Sequence, residues 1–235
     1  NSATPDTGDT FVYDITAPLA SALSTTSGAY GVGETMEILV EYPEAVVIGT
    51  GSGTPSISLS NGNTAIYSSS PSSDSIKFVY TVSEGDTAAA DLTVVSYSGT
   101  IVDAAGNTAS ALSGNLGGVS VDGDAPDYLT STATDGDYGV GETISVTVTW
   151  DEAVVVTGNP TITLSNTATA AYSSGTGTAS LVFTYTVTEG NTASSDLSVT
   201  GYSGTIADAA GGDASDISDT DLGAVSVDGD APDFA

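Results

Sequence analysis

Carboxylates are the side chains of this sequence with the clearest capacity for chemistry. The 235-residue chain has 30 Asp and Glu against one Lys or Arg, with no His and no Cys, for a formal net charge of −29. This composition excludes disulfides, thiolate or imidazole metal ligands, cysteine nucleophiles and imidazole bases. Carboxylates held close together repel one another unless a cation neutralises them, so the composition favours cation binding.

The same charge balance limits the possible partners. Neutralising nucleic-acid phosphates needs Lys and Arg, and Lys77 is the only basic side chain, so we expect no nucleic-acid partner. Apolar residues occur in short runs, none of which has the length of a membrane span. We therefore expect no direct membrane insertion either.

Most of the sequence occurs twice. The segment 30–35 recurs at 138–143, an offset of 108, and Asp103-Ala104-Ala105-Gly106 recurs as Asp208-Ala209-Ala210-Gly211, an offset of 105. The segment 121–127 recurs at 227–233, an offset of 106. Each copy is thus about the size of an immunoglobulin-like sandwich.

Apolar and polar residues alternate in both copies, as in strands with one buried face. Ile144, Val146, Val148 and Trp150 would lie on one face of a strand, and Met36, Ile38, Val40 and Tyr42 on the matching face of the first copy. No segment has helical periodicity, which predicts antiparallel sheets packed on each other. We predict seven strands, A to G, in each copy: A follows Pro18 or Pro126, B is the Met36 or Ile144 run, C, D and E contain Ile57, Tyr67 and Phe78, F starts at Leu92 or Leu197, and G ends at Val121 or Val227.

The predicted domain boundaries follow the repeats. They are an N-terminal strand within residues 1–17, a first repeat at 18–123, a second repeat at 124–229 and a linker at 230–235. The N-terminal strand is expected at residues 9–16, because the segment 11–18 resembles the end of the G strand at 119–126. It would correspond to the last strand of a preceding repeat.

The sandwich topology predicts where the acids meet. The start of a repeat, its BC loop and its FG loop share one pole, and the AB and EF loops share the other pole with the chain exit. Calcium binds about six to eight oxygens from carboxylates and carbonyls, so an all-carboxylate site favours calcium over magnesium. The candidate ligands where the second repeat begins are Asp122, Asp124, Asp151, Glu152 and Asp208, with Glu34 from the lower pole of the first repeat.

An equivalent set recurs at the upper pole of the first repeat. Its candidate ligands are Asp14, Glu44, Asp103 and Asn107, and the chain exit adds Asp228 and Asp230. Glu34 and its copy Glu142 could be ligands or could cap their own loops, and both alternatives stay open.

The segment from Asp122 to Tyr128 resembles the calcium-binding linker of cadherin repeats, an Asp-rich segment that ends in Ala-Pro. The ordered motifs Gly-Val-Gly-Glu-Thr, Glu-Ala-Val, Thr-Val-x-Glu-Gly and Asp-Ala-Ala-Gly-Asn are similar to the tandem immunoglobulin-like repeats of giant prokaryotic surface adhesins, over nearly the whole chain. The resemblance implies linker ligands at Asp14, Asp122, Asp124, Asp228 and Asp230, and FG-loop ligands at Asp103 and Asp208. The sequence departs from the pattern at Gly212, in the place of Asn107, and at Thr16, in the place of Asp124.

These observations predict an all-β protein of two tandem Ig-like, cadherin-like β-sandwich repeats plus an extra N-terminal strand. The expected function is that of an extracellular, cell-surface structural or adhesive protein, not an enzyme, whose junctions are rigidified by Ca²⁺. Its partners would be calcium ions and neighbouring repeats. The alternative is a filament subunit that polymerises head-to-tail with identical subunits, by strand addition and calcium-bridged junctions. A third hypothesis, a ligand-binding adhesin tip, has no pocket motif to support it.

Two other signals favour structural interpretations. Gly31-x-Gly33 lacks the third glycine and the nearby Lys or Arg of a nucleotide-binding loop, so it predicts a turn. Paired carboxylates can catalyse glycoside hydrolysis, but the acids here duplicate with the repeats and no one pair is singled out. We predict no catalytic residue and no organic cofactor.

Overall fold

The computed structural model describes residues 13–49, 53–110 and 112–231. These residues form β-strands, turns and loops without a helix, which confirms the predicted all-β fold. Accordingly, no helix among them has the length and apolar character needed to cross a membrane.

The first repeat folds into short strands, which pair antiparallel except for one parallel pair, Gly28–Tyr30 with Val119–Val121. They are β1 (Ala22–Ser24), β2 (Gly28–Tyr30), β3 (Thr35–Glu41), β4 (Val46–Ile48), β5 (Ser56–Leu59), β6 (Thr64–Ser72), β7 (Ser75–Thr81), β8 (Thr93–Ser98), β9 (Ile101–Asp103), β10 (Gly114–Asn115) and β11 (Val119–Val121). The largest sheet has the order β1-β3-β7-β6-β5-β8-β10, and β4–β9 and β2–β11 form separate pairs. The predicted end of strand G at Val121 is confirmed, and strand F begins one residue after its predicted start.

The second repeat contains fewer and longer strands. They are β12 (Tyr128–Thr132), β13 (Gly136–Tyr138), β14 (Thr143–Leu164), β15 (Thr169–Ser174), β16 (Thr178–Thr186), β17 (Ser198–Ala207), β18 (Thr220–Asp221) and β19 (Val225–Val227). Its main sheet has the order β15-β16-β14-β17-β18, with β12 paired to β14. Strand β19 ends at the predicted Val227.

Alternation along the strands builds the cores. In β3, Met36, Ile38 and Val40 are fully buried, and the intervening Glu37 is exposed. In β14, Ile144, Val146, Val148 and Trp150 are buried in the same way. Burying one face of each strand is the main favourable term that holds such sheets together.

The strand predicted as A is divided in both repeats. Strand β1 pairs antiparallel with β3, and β2 pairs in parallel with β11. In the second repeat β12 pairs antiparallel with β14, and β13 pairs in parallel with β19. The parallel pairs fix the ends of β11 and β19, from which the acidic segments 122–124 and 228–230 continue.

The prediction that Asp151 and Glu152 lie in a BC loop is wrong. Both residues lie inside β14, which continues without interruption to Leu164. Strand β14 pairs with β16 from Thr143 to Thr149 and again at Val154, with a register irregularity between Thr149 and Val154, and it pairs with β17 from Val155. A bulge of this kind re-aims side chains without ending the strand, so Glu152 is held by backbone pairing on either side.

The N-terminal prediction is not matched in the part that can be compared. Residues 13–16 are described and form no strand, and residues 1–12 lie outside the described residues. The side chains of Tyr13 and Ile15 are 83% and 87% exposed. By contrast, Val121, the counterpart of Tyr13, pairs with Tyr30 in a parallel strand pair and is 3% exposed. Within the described residues, Tyr13 has no such strand beside it.

The described residues divide into two compact units whose limits differ from those of the repeats. The first unit comprises residues within 13–27, 36–80 and 91–118, and the second comprises 28–35, 81–90 and 119–231. The second unit therefore contains the segments 28–35 and 81–90 of the first repeat, with strand β2 in the former, and strand β11, together with the described second repeat. The last four residues of the predicted linker, 232–235, lie outside the described residues.

Candidate metal centres

Two clusters of three carboxylates are candidate cation sites. The first cluster consists of Asp14, Glu44 and Asp103, and the second cluster of Asp122, Glu152 and Asp208. In each cluster, one carboxylate oxygen from each residue lies within 4.8 Å of the others. The two sets occupy equivalent positions of the repeat, with offsets of 108, 108 and 105 residues. The predicted convergence of these six acids is thus confirmed.

Three elements of the second unit position the second cluster. Asp122 directly follows β11, and its backbone nitrogen donates to Tyr30 O at 2.9 Å. Glu152 projects from the irregular part of β14, and Asp208 directly follows β17. Each ligand candidate therefore lies in a paired strand or directly after one.

Asp208 is held by the loop that follows it. Its Oδ1 accepts hydrogen bonds from the backbone nitrogens of Ala210, Gly211 and Gly212 at 2.7, 2.6 and 2.9 Å. Its Oδ2 is buried and accepts no hydrogen bond from any residue that the structure describes, and the whole residue is 5% exposed. A buried carboxylate oxygen without a partner is costly, so Oδ2 is the atom that a cation would relieve.

Glu152 carries a second buried oxygen of this kind. Its Oε1 is also buried without a hydrogen-bond partner in the described part of the chain. Burial and then the charges of Asp208, Asp122, Asp124 and Asp151 raise the pKa of Glu152 to about 7. A raised carboxyl pKa means that the site opposes another negative charge, and a bound cation would reverse that effect.

The first cluster differs in how its buried aspartate is satisfied. Asp103 is 3% exposed, and its Oδ1 accepts hydrogen bonds from Ala105 N at 2.9 Å and Asn107 N at 2.8 Å. Its Oδ2 accepts a hydrogen bond from Asn107 Nδ2 at 2.8 Å, and the same nitrogen also donates to Asp14 O at 3.1 Å. Burial acts to raise the pKa of Asp103, but hydrogen bonds from Asn107, Ala105 and Gly106 outweigh it, and the pKa is lowered.

Asn107 therefore lies where the sequence placed it, beside the first cluster, but it faces Asp103 with its amide nitrogen. A nitrogen that donates cannot ligate a cation. A ligand role for Asn107 would have to use its side-chain oxygen and stays a prediction.

Glu34 and Glu142 cap their own loops, which was one of the two alternatives. Their Oε2 atoms accept hydrogen bonds from Gly31 N at 3.3 Å and Gly139 N at 2.8 Å. Glu34 also lies close to the loop that holds Asp208, because a Cβ built on Gly211 would meet Glu34 Oε1 at 2.9 Å. Neither glutamate joins a three-carboxylate cluster among the described residues.

The remaining predicted ligands lie outside the two clusters that the described residues form. Asp124 N donates to Asp122 Oδ1 at 3.3 Å, and Asp230 N donates to Asp228 Oδ1 at 3.0 Å. The two linker segments therefore form the same kind of turn. Asp151 Oδ1 accepts a hydrogen bond from Asp127 N at 2.8 Å. Asp124 and Asp151 still act on the second cluster through their charges, since both raise the pKa of Glu152.

Two glutamates support the linkers by accepting hydrogen bonds from backbone nitrogens. Glu84 Oε2 accepts a hydrogen bond from Ala125 N at 3.3 Å, and Glu189 Oε2 accepts one from Ala231 N at 2.8 Å. Both belong to the repeated Thr-Val-x-Glu-Gly motif, at an offset of 105. The duplication of this Glu together with the linker was the signal that could have connected them.

The two clusters could hold a metal ion, and their donors restrict its type. The donors are carboxylate oxygens only, which suit hard cations and not the softer metals that prefer thiolate or imidazole. A scan against protein-family models finds no match, and a search of curated proteins finds no similar protein. The functional interpretation therefore depends on the chemistry of the sites themselves.

Proposed function

We propose that this protein is an extracellular, cell-surface structural or adhesive repeat protein, not an enzyme, in which calcium stiffens the connection from one repeat to the next. The observation that carries the proposal is the second cluster. Its Asp122 leaves the last strand of the first repeat, whereas Glu152 and Asp208 belong to the second repeat. A single cation bound there would hold the linker against the repeat that follows it.

The choice of calcium follows from the donors and from their burial. Two charged carboxylate oxygens within 4.8 Å of each other repel by roughly 3 kcal/mol or more at an effective dielectric constant of about 20. Three such pairs, together with the buried oxygens on Glu152 and Asp208, make a divalent cation the natural occupant. Magnesium keeps several of its waters and typically binds one or two carboxylates, whereas calcium accepts many protein oxygens at flexible geometry.

The proposed mechanism is electrostatic. Without a cation, moving Asp122 away from the other two carboxylates lowers their repulsion, so the linker gains freedom. With calcium bound, all three carboxylates are attracted to the same ion, and the linker loses that freedom. The first cluster is equivalent, which supports the idea that each repeat can hold its linker through a bound cation.

An extracellular location agrees with such a device. Calcium sites of extracellular modules typically have dissociation constants of about 10⁻⁴–10⁻³ M, so they fill only where calcium is abundant. The formal charge of −29 also raises the local concentration of cations around the chain.

Calorimetry combined with small-angle X-ray scattering tests the proposal. The whole chain is titrated with calcium and, as a control, with magnesium, and scattering is recorded in EGTA and in millimolar calcium. We expect calcium binding, little magnesium binding, and a monomer whose scattering reports a stiffer particle when calcium is present. In Glu152→Gln both effects should decrease strongly. Absence of calcium binding at millimolar concentration would contradict the proposal.

A filament subunit is the second candidate, and one observation favours it. Tyr13 and Ile15 expose most of their apolar side chains in a described segment that forms no strand. An extended segment of this kind could add to the sheet edge of another copy. Light scattering distinguishes the two candidates, since a filament subunit grows with calcium and loses that ability when residues 1–17 are deleted, whereas a spacer stays monomeric in both forms.

A further inference from the structure

We propose that the two clusters differ in cation affinity, and that calcium fills the second cluster first because the Asn107 side chain takes the place of a cation beside Asp103. The inference rests on the proposed function, since it assumes that calcium is the occupant. It adds a ranking of the two sites and names the residue that sets it.

The buried aspartates of the two clusters differ at their second carboxylate oxygen. Asp103 and Asp208 are equivalent, and both anchor Oδ1 to backbone nitrogens of the following loop. Asp103 Oδ2 accepts a hydrogen bond from Asn107 Nδ2 at 2.8 Å. Asp208 Oδ2 has no partner within the described part of the chain, because Gly212 stands in the place of Asn107 and has no side chain to donate. The second cluster thus has an open acceptor where the first has a filled one.

A cation would gain less from Asp103 than from Asp208. At Asp103, a cation that uses Oδ2 must compete with the Asn107 amide, which already stabilises the charged carboxylate. At Asp208, the cation supplies the first favourable partner of a buried oxygen. Hydrogen bonds to charged groups are strong enough that displacing one weakens binding by about tenfold or more.

The negative charge around the two clusters also differs. Asp124 and Asp151 add their negative charges to the second cluster. The equivalent positions of the first repeat hold Thr16 and Pro43, which carry no charge. The second cluster therefore attracts a divalent cation more strongly, in the same direction as the effect of Asn107.

Packing explains why the second repeat uses glycine at this position. A Cβ on Gly212 would lie 2.7 Å from Asp208 Oδ2 and 3.4 Å from Val32 N. A larger side chain would therefore press on the oxygen that the second cluster leaves open. Glycine keeps Oδ2 of Asp208 clear, and all of these groups belong to the second unit.

Calcium titration calorimetry of the full chain tests the ranking. We expect the unmodified chain to show one tight and one weaker component, with dissociation constants at least about tenfold apart. Asp208→Asn should remove the tight component, and Asp103→Asn should remove only the weaker one. Asn107→Ala and Asn107→Gly should tighten the weaker component about tenfold and leave the tight one unchanged. The alanine variant controls for added backbone freedom, and thermal unfolding in EGTA confirms that each variant folds.

The outcomes separate this inference from the proposed function. Two components of equal affinity, or Asn107 variants that leave the weaker component unchanged, would overturn the ranking while calcium binding itself stands. Loss of the tight component in Asp103→Asn instead of Asp208→Asn would reverse the order of the sites and also overturn it. A chain that binds no calcium at all would overturn the proposed function and the ranking together.

Discussion

Gly31 and Gly212 are in direct backbone contact within the second unit. A Cβ built on Gly31 would clash with the backbone nitrogen of Gly212 and would lie 3.0 Å from the carbonyl carbon and oxygen of Ala210. The loop that follows Asp208 therefore depends on the absence of a side chain at residue 31. Because this loop donates the three hydrogen bonds that fix Asp208 Oδ1, the contact connects the loop 31–34 between β2 and β3 to the geometry of the second cluster.

Gly31→Ala is expected to destabilise the protein by about 1–3 kcal/mol, as overpacking against backbone usually does, and to weaken calcium binding at the second cluster. Gly139→Ala is the matched control, because Gly139 is the equivalent residue of the second repeat and its Cβ would meet Glu142 Oε2 at 3.9 Å. Chemical unfolding and calcium titration of both variants check the expectation. Equal effects of the two substitutions would show that the contact with Gly212 has no energetic role.

A second prediction concerns a pair of aspartates that replaces an amide–carboxylate pair. In the first repeat Asn115 Nδ2 donates to Asp91 Oδ2 at 2.6 Å. The equivalent residues of the second repeat are Asp196 and Asp221. The charge of Asp221, its hydrogen bond with Asp196 and burial together raise the pKa of Asp196.

Because the pKa of Asp196 is raised in the folded state, its protonated form is favoured there. This contribution to stability is present below the unfolded-state pKa of about 4 and is lost as the pH rises through the higher folded-state pKa. Asp221→Asn should restore the pairing of the first repeat, stabilise the protein at neutral pH and remove this part of the pH dependence. The free energy of unfolding measured at pH 4 and pH 7 checks this expectation. Asn115→Asp should destabilise the first repeat at neutral pH and introduce the same pH dependence there.

A third prediction concerns the pH dependence of the second cluster. The pKa of Glu152 is raised to about 7, so in EGTA the protein should lose stability as the pH rises from about 4.5 through 7, where Glu152 must ionise. In calcium the sign reverses, because the cation binds the ionised cluster and stabilises the folded state. Melting temperatures at pH 5 and pH 8, in EGTA and in calcium, test both signs.

Two glutamine variants sharpen this test. Glu152→Gln should abolish the loss of stability in EGTA and the tight calcium binding together. Glu44→Gln, at the equivalent position of the first cluster, should leave the tight binding in place. An unchanged pH profile in Glu152→Gln would assign the titration to another group.

The sequence predicts the strands and the two clusters because both depend on patterns that survive without tertiary information. Alternation places Met36, Ile38 and Val40 on the buried face of β3, and the repeat offsets bring equivalent acids to equivalent poles. The run of Asp151 and Glu152 resembles a loop in sequence, yet pairing with β16 and then β17 keeps both residues in a strand. That exchange of partners is a tertiary property.

The sequence likewise does not predict the side-chain hydrogen bonds. Whether Glu34 acts as a ligand or as a cap depends on whether Gly31 N lies within hydrogen-bond distance of its carboxylate in the folded loop. The direction of the Asn107 amide depends on Asp14 O, a group 93 residues away in the chain. Composition and spacing identify such residues as candidates, and the contacts decide their roles.

The last prediction concerns Trp150, the lone tryptophan, which lies two residues before Glu152 in β14 and is 1% exposed. Trp150→Ala should destabilise the protein by about 3–5 kcal/mol, because it leaves a large cavity in the core of the second repeat. Trp150→Tyr should cost clearly less, since Tyr42 fills the equivalent buried position of the first repeat and is 4% exposed. Val155→Ala, at a position 40% exposed in the same strand, controls for strand propensity. Urea unfolding of the three variants should rank them in that order, and a tyrosine variant as unstable as the alanine variant would show that the two cores do not accommodate the same side chains.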